Sequence, residues 1–134
     1  MAKSPVTPFC PRYHYAVELI GRRWNGAIVR MLLAEHRRFA ELAASIPDLS
    51  DRMLAERLRE LEQEGIVSRT VVPEIPVRVE YALTPMGRAL EASIRALGDW
   101  AEKWLPADAG QPRVSAAEAQ LPSAKTRAGG KSRR

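Results

Sequence analysis

The side chains best suited to chemistry lie in residues 50–64, SDRMLAERLRELEQE. Three leucines recur at intervals of four and three residues and fall on one stripe of a helix: Leu54, Leu58 and Leu61. The opposite face carries hydrogen-bonding groups: Arg52, Glu56, Arg59 and Gln63. Ser50 suits the N-cap, and Gly65 follows the last turn, where a left-handed residue commonly ends a helix. The segment is therefore predicted to be an amphipathic helix with one packing face and one polar face.

The polar face has the chemistry needed to contact DNA bases. Arg52 can pair with O6 and N7 of guanine, and Glu56 can accept a hydrogen bond from N4 of cytosine. At a spacing of four residues, Glu56 can instead hold Arg52 in place. Arg59 lies one turn farther along and is expected to meet a phosphate. For each arginine the alternative is a solvated surface charge. The exposed groups expected in the first half of the helix are Ser50, Asp51, Arg52, Met53 and Glu56.

The chain has a single cysteine, Cys10, so no disulfide can form within it. Pro11 suits the first position of a helix, which places Cys10 at the N-cap. There the helix dipole and the free N–H groups favour a thiolate, and the cationic side chains of Arg12 and His14 are near in sequence. Two interpretations stay open: a small N-cap residue with no redox role, or a thiol that oxidants modify.

Catalytic and cofactor motifs are absent from the sequence. His14 and His36 lie on different predicted helices, with neither HExxH nor CxxC spacing for a metal. No GxGxxG loop and no GxxxxGKS or GxxxxGKT loop occurs, so nucleotide binding has no support. We therefore expect no enzyme activity, no metal and no cofactor.

The formal charge of +5 is unevenly distributed along the chain. Residues 106–134 hold six Lys or Arg and two Asp or Glu, out of 21 and 16 in the whole chain. Because the positive excess lies mostly in this tail, the sequence pI of 9.9 is weak evidence for a nucleic-acid surface on the remainder.

Three helical patterns precede the amphipathic helix. The first begins at Pro11 and has an apolar stripe: Tyr13, Ala16, Val17 and Ile20. The second has its stripe at Trp24, Ile28, Met31 and Leu32. The third has its stripe at Phe39, Leu42, Ala43 and Ile46. The turn PDL joins the third pattern to the amphipathic helix and favours a helix-turn-helix, although two helices of an ordinary bundle fit these residues equally well.

A β-hairpin is predicted after Gly65. The segments IVSRTVV and VRVEYAL alternate with a period of two, and the short loop PEIP joins them. Arg69 lies in the first strand and Arg78 in the second. A hairpin directly after a recognition-type helix is typical of a wing, whereas a plain bundle has no reason for one. The predicted fold is mainly α with a small β-hairpin, a winged helix-turn-helix.

The last predicted helix begins at Thr84 and Pro85 and runs to about Leu105. Its apolar residues recur at alternating intervals of four and three, as in a coiled-coil seam: Leu90, Ile94, Leu97, Ala101 and Trp104. The helix is long relative to the body that it must cover. We expect the seam to form a homodimer contact; the alternative is that it covers only its own domain.

The chain is expected to divide into three segments. These are a flexible arm in residues 1–9, a DNA-binding and dimerisation domain in residues 10–105, and a disordered basic tail in residues 106–134 with few large apolar groups. The N-terminus lacks the apolar region of a signal peptide, and no apolar run approaches the ~20 residues that span a bilayer. A cytoplasmic protein without membrane contact is therefore expected.

Several motifs resemble the HxlR family, winged-helix regulators related to MarR proteins: CP, ELIGRRW, RFAEL, GDW and the run LSDRMLAERLRELEQEGIVSRTVVPEIPVRVEYALTPMGRAL. The resemblance covers roughly residues 9–105. It implies a transcription regulator that binds double-stranded DNA as a homodimer, with residues 50–64 as the recognition helix and the hairpin as the wing. It also implies that the first and last helices build the dimer. A two-fold dimer binds a pseudo-palindromic operator.

The resemblance also concerns Cys10, because some members of the family use a cysteine at this position as a thiol-based sensor. Since the chain has no second cysteine, the resolving thiol is either Cys10 of the other subunit or a small thiol. An oxidant or a small ligand is therefore the expected effector.

The alternative function is a winged-helix module for protein–protein contact without specific DNA binding, because residues 50–64 hold three Arg against five Asp or Glu. The expected DNA-contacting residues are Ser50, Asp51, Arg52, Met53, Glu56, Arg59, Arg69 and Arg78.

Overall fold

The computed structural model describes residues 8–111, which form helices and one antiparallel hairpin. The elements in chain order are α1 (Pro11–Gly21), α2 (Asn25–Leu33), α3 (Phe39–Ser45), α4 (Asp51–Gln63), β1 (Val67–Val72), β2 (Arg78–Leu83), α5 (Pro85–Arg88) and α6 (Glu91–Trp104). This confirms the mainly α fold with a small hairpin after a helix-turn-helix. Most of the expected N-terminal arm (residues 1–7) and most of the expected basic tail (residues 112–134) lie outside the described residues.

Helix α4 forms as its local sequence predicts. The Ser50 hydroxyl accepts a hydrogen bond of 3.1 Å from the Met53 N–H, which caps the first turn and typically contributes about 1 kcal/mol. Gly65 has a φ of 81°, the left-handed conformation that favours glycine after a helix. The three leucines of the stripe are each at most 1% exposed: Leu54, Leu58 and Leu61.

The hydrophobic core lies between this stripe and the elements around it. Helix α2 contributes Ile28, Val29 and Leu32, and α3 contributes Leu42. The remaining core residues come from the turn before α4 and from the base of the hairpin, where β1 begins and β2 ends: Ile46, Leu49, Ile66, Val67 and Leu83. Full burial of one such aliphatic side chain contributes roughly 1.5–3 kcal/mol. The core therefore fixes α4 to α2, α3 and the base of the hairpin as one unit.

The hairpin has a continuous register from Val67 paired with Leu83 at its base to Val72 paired with Arg78 near its tip. An isolated bridge joins Arg38 to Glu80, and the Tyr81 N–H donates to the Arg37 carbonyl at 2.8 Å. The segment before α3 therefore acts as a short third strand. A single bridged residue has no alternation, so the sequence did not predict this pairing.

The structure corrects the sequence-based description of the first two helices. Trp24 was expected inside the second helix, but it precedes α2 with a φ of 79° and is only partly buried against the core. Tyr13 and Val17 were expected to pack, yet they are 71% and 49% exposed. Helix α1 reaches the hydrophobic core only near its end, through Leu19 and Ile20.

The prediction of one helix from Thr84 to about Leu105 was wrong, because α5 and α6 are separate helices. Thr84 does cap α5, since its hydroxyl accepts from the Gly87 N–H at 3.1 Å. At Leu90, however, the N–H bonds to the Gly87 carbonyl, three residues back rather than four. In the same segment, Gly87 lies close against the backbone at Ile66.

None of the helices in residues 8–111 combines the length and the apolar composition that a bilayer crossing requires.

The close packing at Gly87 gives a test of the fold. A Cβ atom at this position would lie 2.2 Å from the Ile66 carbonyl oxygen, so Gly87→Ala forces the backbone apart. We expect a loss of about 1–3 kcal/mol and a melting midpoint roughly 5–15 °C lower by circular dichroism. Gly21→Ala is the matched control, because nothing lies within 4 Å of a Cβ there. Equal midpoints for the two variants would contradict this account of the α5 turn.

Candidate nucleic-acid interface

The turn between α3 and α4 determines how α4 is presented. Asp48 has a φ of 64°, a left-handed conformation that Asp adopts more readily than most residues. Next to it, Leu49 is 8% exposed and joins the core. The turn is therefore anchored from inside, and the N-terminal end of α4 faces away from the core.

The exposed face of α4 contains most of the side chains expected there: Ser50, Asp51, Arg52, Glu56 and Arg59. The Arg52 side chain is 90% exposed, and its Nε lies 3.4 Å from Oε1 of Glu56. An exposed pair at this spacing contributes only about 0.3–0.5 kcal/mol to stability. It does orient the guanidinium, whose two terminal nitrogens stay available to a base edge. Met53 differs from expectation, because it is half-buried and packs against the core.

The C-terminal half of α4 faces α1 and the loop after it. The Tyr15 hydroxyl donates to Oε1 of Glu64 at 2.5 Å, which raises the pKa of the Tyr15 phenol. Glu60 accepts hydrogen bonds from Arg22 and, at 2.9 Å, from Arg57. Two of the five acidic side chains in residues 50–64, Glu60 and Glu64, therefore make their contacts with Tyr15, Arg22 and Arg57 and are not presented on the N-terminal face of α4.

Arg57 completes this junction, since its Nε donates to the Arg23 carbonyl at 3.1 Å. Asn25, at the start of α2, is completely buried, and its Nδ2 donates to the Leu19 carbonyl at 2.8 Å. Sequence reasoning missed Asn25, whose only signal was a polar residue beside the apolar stripe of the second helix. These bonds tie the end of α1 to α2 and α4.

The two wing arginines have different surroundings. Arg69 is exposed, and no carboxylate lies within ion-pair distance of it among residues 8–111. Arg78 is 34% exposed and lies between two carboxylates, with Nε 3.0 Å from Glu80 and Nη1 2.5 Å from Glu74. The hydrogen bond to Glu80, followed by the charges of both carboxylates, raises the pKa of the Arg78 guanidinium.

Cys10 is an exposed free thiol at the N-cap of α1, where the sequence placed it. Its carbonyl accepts the His14 N–H at 2.9 Å, and its side chain makes no capping bond. The rings of Phe9 and His14 lie 5.7 Å apart beside it. A groove of about 450 Å³ opens here between α1 and the end of α4.

The seam expected in the last helix divides into two parts. Leu90 and Ile94 are partly buried against the hydrophobic core of the chain. Leu97 and Trp104 are 60% and 66% exposed, and Ala101 between them is half-buried. Trp100 beside them is also exposed. The second half of α6 thus presents large apolar groups that its own domain does not cover.

Comparisons with known proteins agree with this geometry. The model of the HxlR-like helix-turn-helix family matches residues 19–109. The HTH-type transcriptional regulator YvaP of Bacillus subtilis is 48% identical over 96 residues, covering 72% of this chain and 89% of YvaP. The reduced form of the transcriptional regulator YodB from B. subtilis superposes with a TM-score of 0.66 at 46% identity, covering 72% of this chain and 95% of YodB.

A further solved structure is the redox regulator HypR in its oxidised form. It has a TM-score of 0.64 at 37% identity and covers 70% of this chain and 96% of HypR. YodB has also been solved diamide-treated and quinone-bound, and these structures match 73% and 72% of this chain with TM-scores of 0.63. With its fold, its exposed α4 and these relatives, the chain belongs to the HxlR-like helix-turn-helix family of transcription regulators.

Proposed function

We propose that this protein binds a pseudo-palindromic operator in double-stranded DNA as a homodimer, and that an oxidant or a small ligand alters this binding through Cys10. The observation that carries the proposal is the exposed N-terminal half of α4, where Glu56 orients the 90% exposed guanidinium of Arg52. In a helix-turn-helix, this end of the second helix enters the major groove.

The base contacts belong to the first two turns of α4. Arg52 donates to O6 and N7 of a guanine, while Glu56 holds it or accepts from a cytosine. Ser50 and Asp51 lie at the groove edge, whereas Met53 packs against the core and supports the helix from within.

Arg59, one turn farther along, and the wing arginine Arg69 supply positive charge near the phosphates. Arg78 was also expected to contact DNA, but its ion pairs with Glu74 and Glu80 reduce what it can offer to a phosphate.

The rival function, a module for protein–protein contact alone, rested on the acidic count of residues 50–64. The acidic count is weaker evidence than it was in the sequence, because Glu60 and Glu64 do not belong to the N-terminal face. Their contacts are with Arg22, Arg57 and Tyr15. The outward N-terminal face is then balanced in charge. DNA binding is therefore the better-supported function.

The homodimer is proposed from the uncovered apolar groups of α6 and α1. Leu97, Ala101 and Trp104 are assigned to the partner contact, together with the exposed Tyr13 and Val17 of α1. Leu90 and Ile94 support α6 from within the same subunit. Burying aromatic side chains of 150–250 Å² each contributes much of the energy of such interfaces.

Oxidation of Cys10 has a short route to the DNA-binding helix. Cys10 begins α1, and α1 is joined to α4 by the Tyr15–Glu64 hydrogen bond, with the Arg22–Glu60 ion pair just past its end. A disulfide between the two Cys10 thiols of a dimer, or with a small thiol, would reposition the start of α1. Strain on these bonds would then reach α4. The diamide-treated YodB and the oxidised HypR are redox forms of relatives with this fold.

The first test compares two arginines of α4 on an operator recovered by sequencing of bound genomic fragments. Arg52→Ala should cost roughly 1–3 kcal/mol on that operator and relax the preference at one base pair. Arg59→Ala should weaken all sequences evenly and make the salt dependence of binding shallower by about one unit of slope. Fluorescence anisotropy over a salt series measures both quantities.

Each variant is the control for the other, because both remove one exposed arginine from the same helix. If both act alike on random and operator DNA, then α4 is wrongly placed as the recognition helix. If wild-type protein shows no preference for any fragment, the protein–protein alternative takes its place.

The second test concerns assembly. Leu97→Glu combined with Trp104→Glu should yield a folded monomer by light scattering, because two charges replace the exposed apolar groups of α6. Glu102→Gln, an exposed change on the same helix, should leave the dimer intact. The dimer should protect half-sites about 10–10.5 bp apart or a multiple of that. A wild-type monomer at micromolar concentration that binds single half-sites would refute the proposal.

The third test concerns Cys10. Diamide should change the DNA mobility shift of the wild type and produce a covalent dimer, or a mixed disulfide with added small thiol, on a non-reducing gel. Cys10→Ser, which keeps a small polar N-cap residue, should bind DNA equally well and ignore diamide. Equal responses from the two proteins, or none from either, would leave Cys10 with a structural role and move the effector site elsewhere.

A further inference from the structure

The positive charge of this chain is separated from the domain that is proposed to bind DNA. Residues 8–111, which the structure describes, hold 14 Lys or Arg and 15 Asp or Glu, so their formal charge is −1. Residues 112–134 hold six Lys or Arg and one Glu, so their formal charge is +5. The positive excess of the whole chain therefore comes from outside the described domain.

Much of the positive charge within residues 8–111 is also compensated locally. Six of the 14 cationic side chains lie within ion-pair distance of a carboxylate: Arg22, Arg37, Arg52, Arg57, Arg78 and Arg95. At a formal charge of −1, residues 8–111 as a whole exert no net attraction on a polyanion such as DNA. A domain of this kind can read bases through α4, but its overall charge does not draw it to a duplex.

The cations beyond residue 111 are concentrated in residues 125–134, KTRAGGKSRR, which we call the basic segment. Five of its ten residues are positively charged: Lys125, Arg127, Lys131, Arg133 and Arg134. It contains no Asp or Glu, no aromatic residue and no apolar residue larger than alanine. The segment therefore has no groups that stack on bases or pack in a core, and its chemistry is that of a polycation.

We propose that the basic segment binds the phosphate backbone of DNA as a sequence-independent attachment, in addition to the base contacts proposed for α4. The inference rests on the proposed DNA binding and adds a contact beyond residue 109, where the match to the family model ends. Duplex DNA carries one negative charge per about 1.7 Å of its axis, and each cation that neutralises a phosphate releases a condensed counterion. Such an attachment would hold the protein on any duplex while α4 samples base pairs.

The chain between the domain and the basic segment is long enough for both contacts to fall on one duplex. Fourteen residues lead from Gln111, the last described residue, to Lys125, and they can span at most about 50 Å. A domain of 100 residues has a radius of gyration of about 13 Å, so this reach exceeds the width of the domain. The basic segment and α4 can therefore contact the same DNA molecule.

DNA fits the basic segment better than two other anionic partners do. Stable attachment to a membrane requires a second, apolar signal beside a polybasic segment, and this segment has no apolar residue larger than alanine. The carboxylates of the chain itself are the other alternative. Within residues 8–111, however, seven of the 15 already lie within ion-pair distance of an Arg or His side chain. Both alternatives are outcomes of the test.

The experiment neutralises the basic segment in the full-length protein. The variant, called the Gln variant, carries five changes: Lys125→Gln, Arg127→Gln, Lys131→Gln, Arg133→Gln and Arg134→Gln. On random duplex DNA, fluorescence anisotropy over a salt series should show a salt slope that is shallower by about 4–5 for each basic segment that contacts DNA. Affinity for the operator should fall by the same factor as affinity for random DNA, because both carry the same phosphates. Protection of operator guanines from dimethyl sulfate, and the melting midpoint, should not change.

The matched control exchanges lysine and arginine and so keeps the charge at every position. It carries five changes: Lys125→Arg, Arg127→Lys, Lys131→Arg, Arg133→Lys and Arg134→Lys. This variant should match the wild type in salt slope and in affinity. A loss as large as that of the Gln variant would show recognition of particular side chains rather than of charge, and would overturn the proposal.

Three other results are decisive. An unchanged salt slope in the Gln variant would overturn the proposal, and loss of its co-sedimentation with phosphatidylserine-containing vesicles would then assign the segment to a membrane surface. A gain in DNA affinity would also overturn it, because the segment would then compete with DNA for the carboxylates of the domain. Failure of the proposed function looks different: wild-type protein would protect no guanine on any fragment, although the Gln variant would still lower the salt slope on random DNA.

Discussion

Burial of one stripe of α4 is the constraint on which the rest of this structure depends. Leu54, Leu58 and Leu61 are at most 1% exposed, and each would lose roughly 1.5–3 kcal/mol if it turned to water. No rotation of the helix about its axis keeps all three inside except the observed one. The packing of the core therefore determines which side chains of α4 face outward, including Arg52 and Glu56, and their own contacts do not.

The same helix is held differently along its length. Its first half is fixed only from beneath, by the core and by the anchored turn at Leu49, so its outer face is clear. Its second half is bonded laterally, through Glu60 and Glu64, to the segment that begins at Cys10. A structural change in α1 thus reaches the C-terminal end of α4 directly, and it reaches the N-terminal end, which is proposed to contact bases, only by moving the helix as a whole.

Local chemistry was predictable from sequence, and contacts between distant residues were not. The Ser50 cap, the leucine stripe, Gly65, both strands and the Thr84 cap follow from interactions within a few residues, and all were confirmed. The third strand at Arg38, the buried Asn25 and the break before α6 depend on partners more than ten residues away or on packing. For the candidate site, the exposure of Arg52, Glu56 and Arg59 could be predicted from the amphipathic pattern, but the inward packing of Met53 could not.

Charge distribution then determines what kind of DNA binding such a domain can have. On the outer face of α4, Arg52 and Arg59 are accompanied by Asp51 and Glu56, and in the wing Arg78 is neutralised by Glu74 and Glu80. With few uncompensated cations on these two elements, α4 and the wing add little to the counterion release that supplies essentially all of non-specific affinity. In the proposed complex, binding then depends on sequences that satisfy Arg52 and Glu56 together, since an unmatched base would leave the Asp51 and Glu56 carboxylates facing acceptors. In the proposed complex, a recognition face with balanced charge favours discrimination over affinity, and the two copies of this face in the proposed dimer restore useful affinity.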